Sequence, residues 1–112
     1  MKTLFITISL LASMLGIHEK TETVKVKGNC GMCKARIERS LKIEGVSNAE
    51  WNRDTKVLTV TYDTHKTDID KIQNVVAGAG HDTEKYAATN DTYRKLPGCC
   101  RYERGQSNTK SN

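Results

Sequence analysis

An alternating run, Val24-Lys25-Val26-Lys27, breaks at Gly28-Asn29 and restarts as an amphipathic helix, with two cysteines, Cys30 and Cys33, on the join. This junction constrains the fold more than any other feature. A strand has to end, turn within a few residues and deliver a helix N-terminus at a fixed point. The N–H groups of the first helical turn have no partner inside the helix and favour thiolate over thiol at that point. Cys-x-x-Cys at a helix start is either a clamp for a soft metal ion or a redox pair, and at this level both chemistries stand.

The rest of the chain bounds the setting. With 112 residues, 37% of them hydrophobic and 5% aromatic, the chain holds one domain with a small, mainly aliphatic core. The net charge of +5 is uneven: residues 19–85 carry twelve Lys/Arg against eleven Asp/Glu, whereas residues 87–112 carry five against two. A nucleic-acid binder would show a denser basic stripe interleaved with aromatics, and none is present in the sequence. Lys34, Arg36, Arg39 and Lys42 in the first helix read as a solvated face, and secondarily as a docking surface for an acidic partner.

At the amino end, Met1-Lys2 precedes an apolar run from Leu4 to Ile17, and the first acidic residue is Glu19. One positive charge, a short apolar stretch and an abrupt polar change predict a signal peptide over residues 1–17. The alternative is an uncleaved anchor, although the run is shorter than the roughly 20 residues of a comfortable span. Export places the thiols in an oxidising compartment, the periplasm or cell envelope. The four cysteines fall in two close pairs, Cys30/Cys33 and Cys99/Cys100. A disulfide framework spreads its cysteines to staple the chain, so close pairs point instead to chemistry on the sulfurs.

The element order follows from periodicity. Thr21 to Lys27 alternates as a half-buried strand, and Cys33, Ile37 and Leu41 form one stripe of a helix expected to end at Gly45. Val46–Asn52 and Val57–Tyr62 read as two strands around the polar turn 52–56. Thr67 or Asp68 caps a second helix carrying Ile69, Ile72, Val75/Val76 and Ala79, with Gly78 and Gly80 closing it. His81 to Tyr86 is expected as a short polar edge strand. The order βαββαβ predicts an α+β, ferredoxin-like sandwich: a four-stranded antiparallel sheet with two helices on one face. The Cys loop and the turn after the second helix then share one end of the sheet, which brings His81 towards Cys30 and Cys33. The expected domain spans residues 18–86, followed by a Cys-containing, largely flexible tail over 87–112.

With the motif placed on its strand–helix join, residues 21–86 resemble the heavy-metal-associated domain of copper chaperones, copper-pumping ATPases and periplasmic mercury-binding proteins. The residues that carry the resemblance are Gly28-Asn29-Cys30-Gly31-Met32-Cys33, the Cys33/Ile37/Leu41 stripe, Glu44-Gly45-Val46, the 57–62 strand and Ala79-Gly80-His81. Two positions depart from the family pattern. Gly28 stands where relatives usually place a buried Met, and Asn29 replaces a small polar residue or Asp. These departures imply a looser loop. Relatives commonly have Tyr or Lys at position 81, where this chain has His81.

Cys30 and Cys33 are therefore the expected main metal ligands. Two thiolates suit a soft d¹⁰ ion of low coordination number, Cu(I) first, with Hg(II), Zn(II) and Cd(II) sharing the preference for sulfur. Two ligands hold an ion and leave it open to a partner's thiol, whereas a closed structural zinc site needs four. Redox catalysis is the weaker reading, because the helix here precedes two adjacent strands in a short domain and the lone proline, Pro97, is distant. Cys99 and Cys100 are expected accessory ligands. His81 has two readings, a third ligand or tuning residue, or a surface residue on the helix C-terminal dipole. Met32 reads as a hydrophobic contact for a partner. The chain is thus expected not to be an enzyme. It is expected to carry metal to a metal-transporting ATPase or another metal acceptor or donor, as a monomer or metal-linked dimer, with a membrane transporter as recipient if the cargo is mercury.

Overall fold

Three strands, each half apolar by alternation, need one covered face, and the helices supply it. The computed structural model describes residues 18–104. The leader assigned to residues 1–17 and the polar end 105–112 lie outside the described residues. Among the described residues, no helix is long and apolar enough to cross a membrane.

Strand β1 (Glu19–Lys25) leads into helix α1 (Gly31–Ser40), followed by β2 (Val46–Trp51), β3 (Val57–Asp63) and α2 (Ile69–Gly78). The sheet is antiparallel in the order β1-β3-β2, with Val24 opposite Leu58 and Trp51 also opposite Leu58. Alternation places Leu58, Val60 and Tyr62 of β3 inward, where they are buried with Val24, Val26 and Trp51. The α1 stripe Cys33, Ile37, Leu41 and the α2 pair Ile72, Val76 close over them in a single core. Burying an aliphatic side chain of this size stabilises the fold by roughly 1.5–3 kcal/mol.

Local hydrogen bonding at the helix ends explains where each helix starts and stops. Asp68 caps α2 by accepting from the Lys71 N–H at 2.8 Å. At the other end, the His81 N–H reaches the Val76 carbonyl (3.3 Å) and the Gly80 N–H that of Ala77 (2.9 Å) around Gly80 at φ +111°, a Schellman closure. Helix α1 stops at Ser40, not at Gly45, because Leu41 and Lys42 tighten onto the Glu38 and Arg39 carbonyls. Gly45, at φ +95°, turns the chain into β2.

The expected fourth strand over 81–86 is reduced to one bridge, Thr83 with Val26. Thr83 and Tyr86 bond to each other through backbone and hydroxyl, so the polar segment closes into a turn instead of running along β1. The tail, expected to be largely flexible beyond residue 86, packs onto the domain as far as Arg104. It forms helix α3 (Asn90–Arg94) and a 3₁₀ turn (Gly98–Cys100), and contributes Ala88, Leu96, Cys100 and Tyr102 to the buried set. Leu96 lies so close over Gly80 that a Cβ there would approach its Cδ2 to 2.8 Å.

The clasp on this tail is polar. Arg104 grips Asp82 with two bonds, 3.0 Å from Nε and 2.9 Å from Nη2, and also donates to Asn90 Oδ1 (3.0 Å) and the Ala88 carbonyl (2.5 Å). The Tyr102 hydroxyl accepts from the Asp82 N–H (2.8 Å) and donates to the Gly80 carbonyl (2.7 Å). Both side chains of the Asp82–Arg104 pair are nearly closed to solvent.

Candidate metal centre

The loop between β1 and α1 sits on an aromatic floor. Trp51, fully buried at the end of β2, donates its indole N–H to the Val26 carbonyl at 3.0 Å and lays its ring under Gly28. A Cβ at position 28 would meet two Trp51 ring atoms at 3.0 Å and the Cys33 Cβ at 3.1 Å. A side chain at position 28 would thus crowd the tryptophan that fills the space beneath the loop. The floor is occupied, and the loop rests on it.

Cys30 is the N-cap of α1 and Cys33 its third residue, so the thiols replace the oxygens of an ordinary capping box. The N–H groups of Asn29 and Cys30 donate to the Cys33 sulfur at 3.3 and 3.4 Å. The two sulfurs are 3.6 Å apart. Cys33 is buried and Cys30 half-exposed, so one thiol belongs to the core face of the helix while the other opens to solvent. Burial pushes the Cys30 thiol up. The Cys99 thiol, the Cys33 N–H, the Cys33 thiol and the Met32 N–H outweigh it and bring the group down to about 6.

The 3₁₀ turn brings the second cysteine pair to the same place. Cys30 Sγ lies 3.2 Å from Cys99 Sγ and 3.8 Å from Cys100 Sγ, and Cys99 and Cys100 sulfurs are 3.9 Å apart. The sulfurs of Cys30, Cys99 and Cys100 all fall within 4.8 Å of one another. Cys99 is exposed and also touches the thioether of Met32 at 3.4 Å, while Met32 itself is 54% exposed. All four cysteines are free thiols. The neighbouring Cys30 sulfur, and then burial, raise the Cys99 thiol. Burial and then the neighbouring sulfurs raise the Cys100 thiol strongly.

His81 lies at the loop end of the sheet but is not among the three clustered ligands. It is fully buried, unlike the surface position its place after a helix suggests. Its Nδ1 bonds the Lys27 carbonyl at 2.8 Å, which makes Nδ1 the protonated nitrogen, and its ring stacks on Tyr102. Burial, more than any other influence, holds its pKa below the usual histidine value. His81 therefore anchors the strand end that leads into the Cys loop. The basic face of α1 is partly committed: Lys34 bonds Glu38 (2.5 Å) and the Trp51 carbonyl (3.1 Å).

Sequence reasoning missed Trp51 as the loop's floor and Asp82, Tyr102 and Arg104 as the clasp that holds Cys99 and Cys100 in place. Tyr93, Leu96 and Tyr102 concentrated beside Pro97-Gly98-Cys99-Cys100 are the apolar signal for a packed tail.

Comparison with known proteins places this geometry among relatives. Residues 23–82 match the family model "Heavy-metal-associated domain". A mercuric transport protein periplasmic component from Pseudomonas aeruginosa is 32% identical over 85 residues, covering 72% of this chain and 93% of the relative. The solved structure of a CopZ metallochaperone is 30% identical with a TM-score of 0.55, covering 57% of this chain and 98% of that one. The N-terminal domain of a potential copper-translocating P-type ATPase from Bacillus subtilis, solved in the Cu(I)-loaded state, is also 30% identical, with a TM-score of 0.55, covering 58% and 84%.

Proposed function

The chain belongs to the heavy-metal-associated domain family, and we propose that it captures a soft thiophilic cation, Cu(I) first, through Cys30 and Cys33 and passes it to a partner protein in the cell envelope. The observation that carries this reading is the sulfur capping box. Two thiols 3.6 Å apart stand on a helix N-terminus, one of them with a pKa brought down to about 6. A thiolate present at neutral pH meets a soft ion without first losing a proton. Half-exposed Cys30 leaves a side from which a partner's thiol can attack, so transfer proceeds by exchange of one sulfur for another. The thioether of Met32 beside Cys99 adds a soft donor of the kind that favours Cu(I). The partner is a metal-transporting ATPase or another thiol-bearing acceptor. The protein carries an ion and turns over no substrate.

A second reading keeps the site and changes the cargo to Hg(II), delivered to a membrane transporter. It is favoured by the mercuric transport relatives, whose similarity extends over 72% of this chain. Anaerobic competition between one equivalent each of Cu(I) and Hg(II), followed by transfer to a thiol-bearing acceptor, separates the two. Retention and onward transfer of copper under buffered thiol supports the first. Exclusive retention of mercury, with copper lost to the buffer, overturns it in favour of the second.

A further inference from the structure

We propose that the four thiols form one composite site, divided between the amino-terminal loop and the carboxy-terminal strap. In it a soft d¹⁰ cation is held by three sulfurs, those of Cys30, Cys99 and Cys100, with Cys33 beside them as the alternate or fourth donor. The inference rests on the metal-carrying reading above and changes what that site is: not an open two-thiol clamp but a cage closed by the tail.

The spacing carries it. An ion holding sulfurs at about 2.3 Å spreads them by about 3.8 Å in a tetrahedral arrangement, about 4.0 Å in a trigonal one and about 4.6 Å in a linear one. The Cys30–Cys33, Cys30–Cys100 and Cys99–Cys100 separations are 3.6, 3.8 and 3.9 Å. The Cys30–Cys100 and Cys99–Cys100 separations fit the trigonal spacing within about 0.2 Å, the Cys30–Cys33 separation fits the tetrahedral one as closely, and none fits the linear one. In a three-sulfur site the Cys30–Cys99 pair, at 3.2 Å, has to open by about 0.8 Å to reach the trigonal spacing, and Cys99 is the exposed member with room to move. Cys30 touches both members of the second pair and is the shared ligand, while Cys33 lies beside Cys100.

Packing alone does not require this arrangement. A buried free cysteine is often a small apolar filler, which would account for Cys100. It does not account for exposed Cys99, or for two adjacent residues of one 3₁₀ turn both directing sulfur at Cys30. The strap that delivers them is fixed on either side of the pair, by Leu96 seated over Gly80 and by the Asp82–Arg104 clasp with the Tyr102 hydroxyl. The second pair is therefore positioned before any ion arrives, which lowers the ordering cost of a third sulfur. Binding releases the thiol protons of Cys99 and Cys100 to water and leaves three metal–sulfur bonds. Handing the ion on requires one strap sulfur to be replaced by a partner's thiolate.

The test is X-ray absorption at the copper edge on full-length protein loaded anaerobically with one equivalent of Cu(I), compared with the variant carrying both Cys99→Ser and Cys100→Ala. Circular dichroism checks the fold of the variant, and the sulfur count of the natural protein decides by itself if the variant does not fold. The expected result is three sulfurs in the natural protein and two, at a shorter mean distance, in the double variant, where Cys30 and Cys33 are the thiols left. Two sulfurs in the natural protein, or three that persist in the double variant, overturns the composite site while leaving the two-thiol reading intact. Failure of the natural protein to retain Cu(I) at all overturns both.

Discussion

Gly28→Ala tests whether the Cys30–Cys33 loop is seated on Trp51. The added Cβ would stand 3.0 Å from two indole carbons and 3.1 Å from the Cys33 Cβ, where ordinary carbon contacts lie at about 3.5–4.0 Å. Both walls are fully buried, so neither can give way into solvent. Overpacking of this kind costs about 1–3 kcal/mol. The narrower freedom of alanine in the unfolded chain offsets about 0.4–1 kcal/mol of it, since Gly28 is not at a positive φ. The expected net loss is about 0–2.6 kcal/mol. Trp51→Phe removes part of the indole and its bond to the Val26 carbonyl, which costs about 1–3 kcal/mol for the orphaned acceptor. It also makes room above the floor, so in the double variant the Gly28→Ala penalty shrinks by about 1 kcal/mol. Urea unfolding of the four proteins reads this as midpoints, with a coupling of up to about 1 M for a slope near 1 kcal/mol per molar. Additivity within about 0.3–0.5 kcal/mol, or a stabilised Gly28→Ala, would refute the seating argument.

Two further outcomes follow from the site and its strap. Alkylation of Cys30 in metal-free protein should follow a thiolate titration with a midpoint near 6. A lowered pKa means the reactive form is present at neutral pH and is lost only on acidification through 6. A midpoint near 9, the ordinary thiol value, contradicts the hydrogen-bonding account. Arg104→Ala strands the nearly buried Asp82 carboxylate, and loss of one partner of such a pair costs about 3–5 kcal/mol. The strap should then be cut by trypsin at Arg101 well before the sheet is attacked. Unchanged protection would remove the clasp from the account.

The regular elements were legible because each obeys one period. The Cys33/Ile37/Leu41 stripe and the Leu58/Val60/Tyr62 alternation are buried as their spacing predicts. What the sequence hid lies in pairs distant along the chain. Gly28 reads as a loosening substitution until Trp51 is found beneath it, and nothing along the chain links Asp82 to Arg104 until the strap brings them together. Residues 81–86 mislead for a local reason: Thr83 satisfies Tyr86 instead of a neighbouring strand. The tail misleads because Tyr93, Leu96, Cys100 and Tyr102 share no helical or strand period, although all four reach the core. For the site, the sequence marks Cys30 and Cys33 as a pair, but the meeting of Cys30 with Cys99 spans 69 residues and depends on the clasp.

The most direct measurement is an anaerobic Cu(I) titration of the natural protein and of the Cys30→Ser/Cys33→Ser double variant, with bound metal counted by mass spectrometry after dialysis against a thiol buffer. The account predicts one copper ion retained per chain in the natural protein and none in the double variant. Retention by the double variant, or no retention by the natural protein, would contradict it.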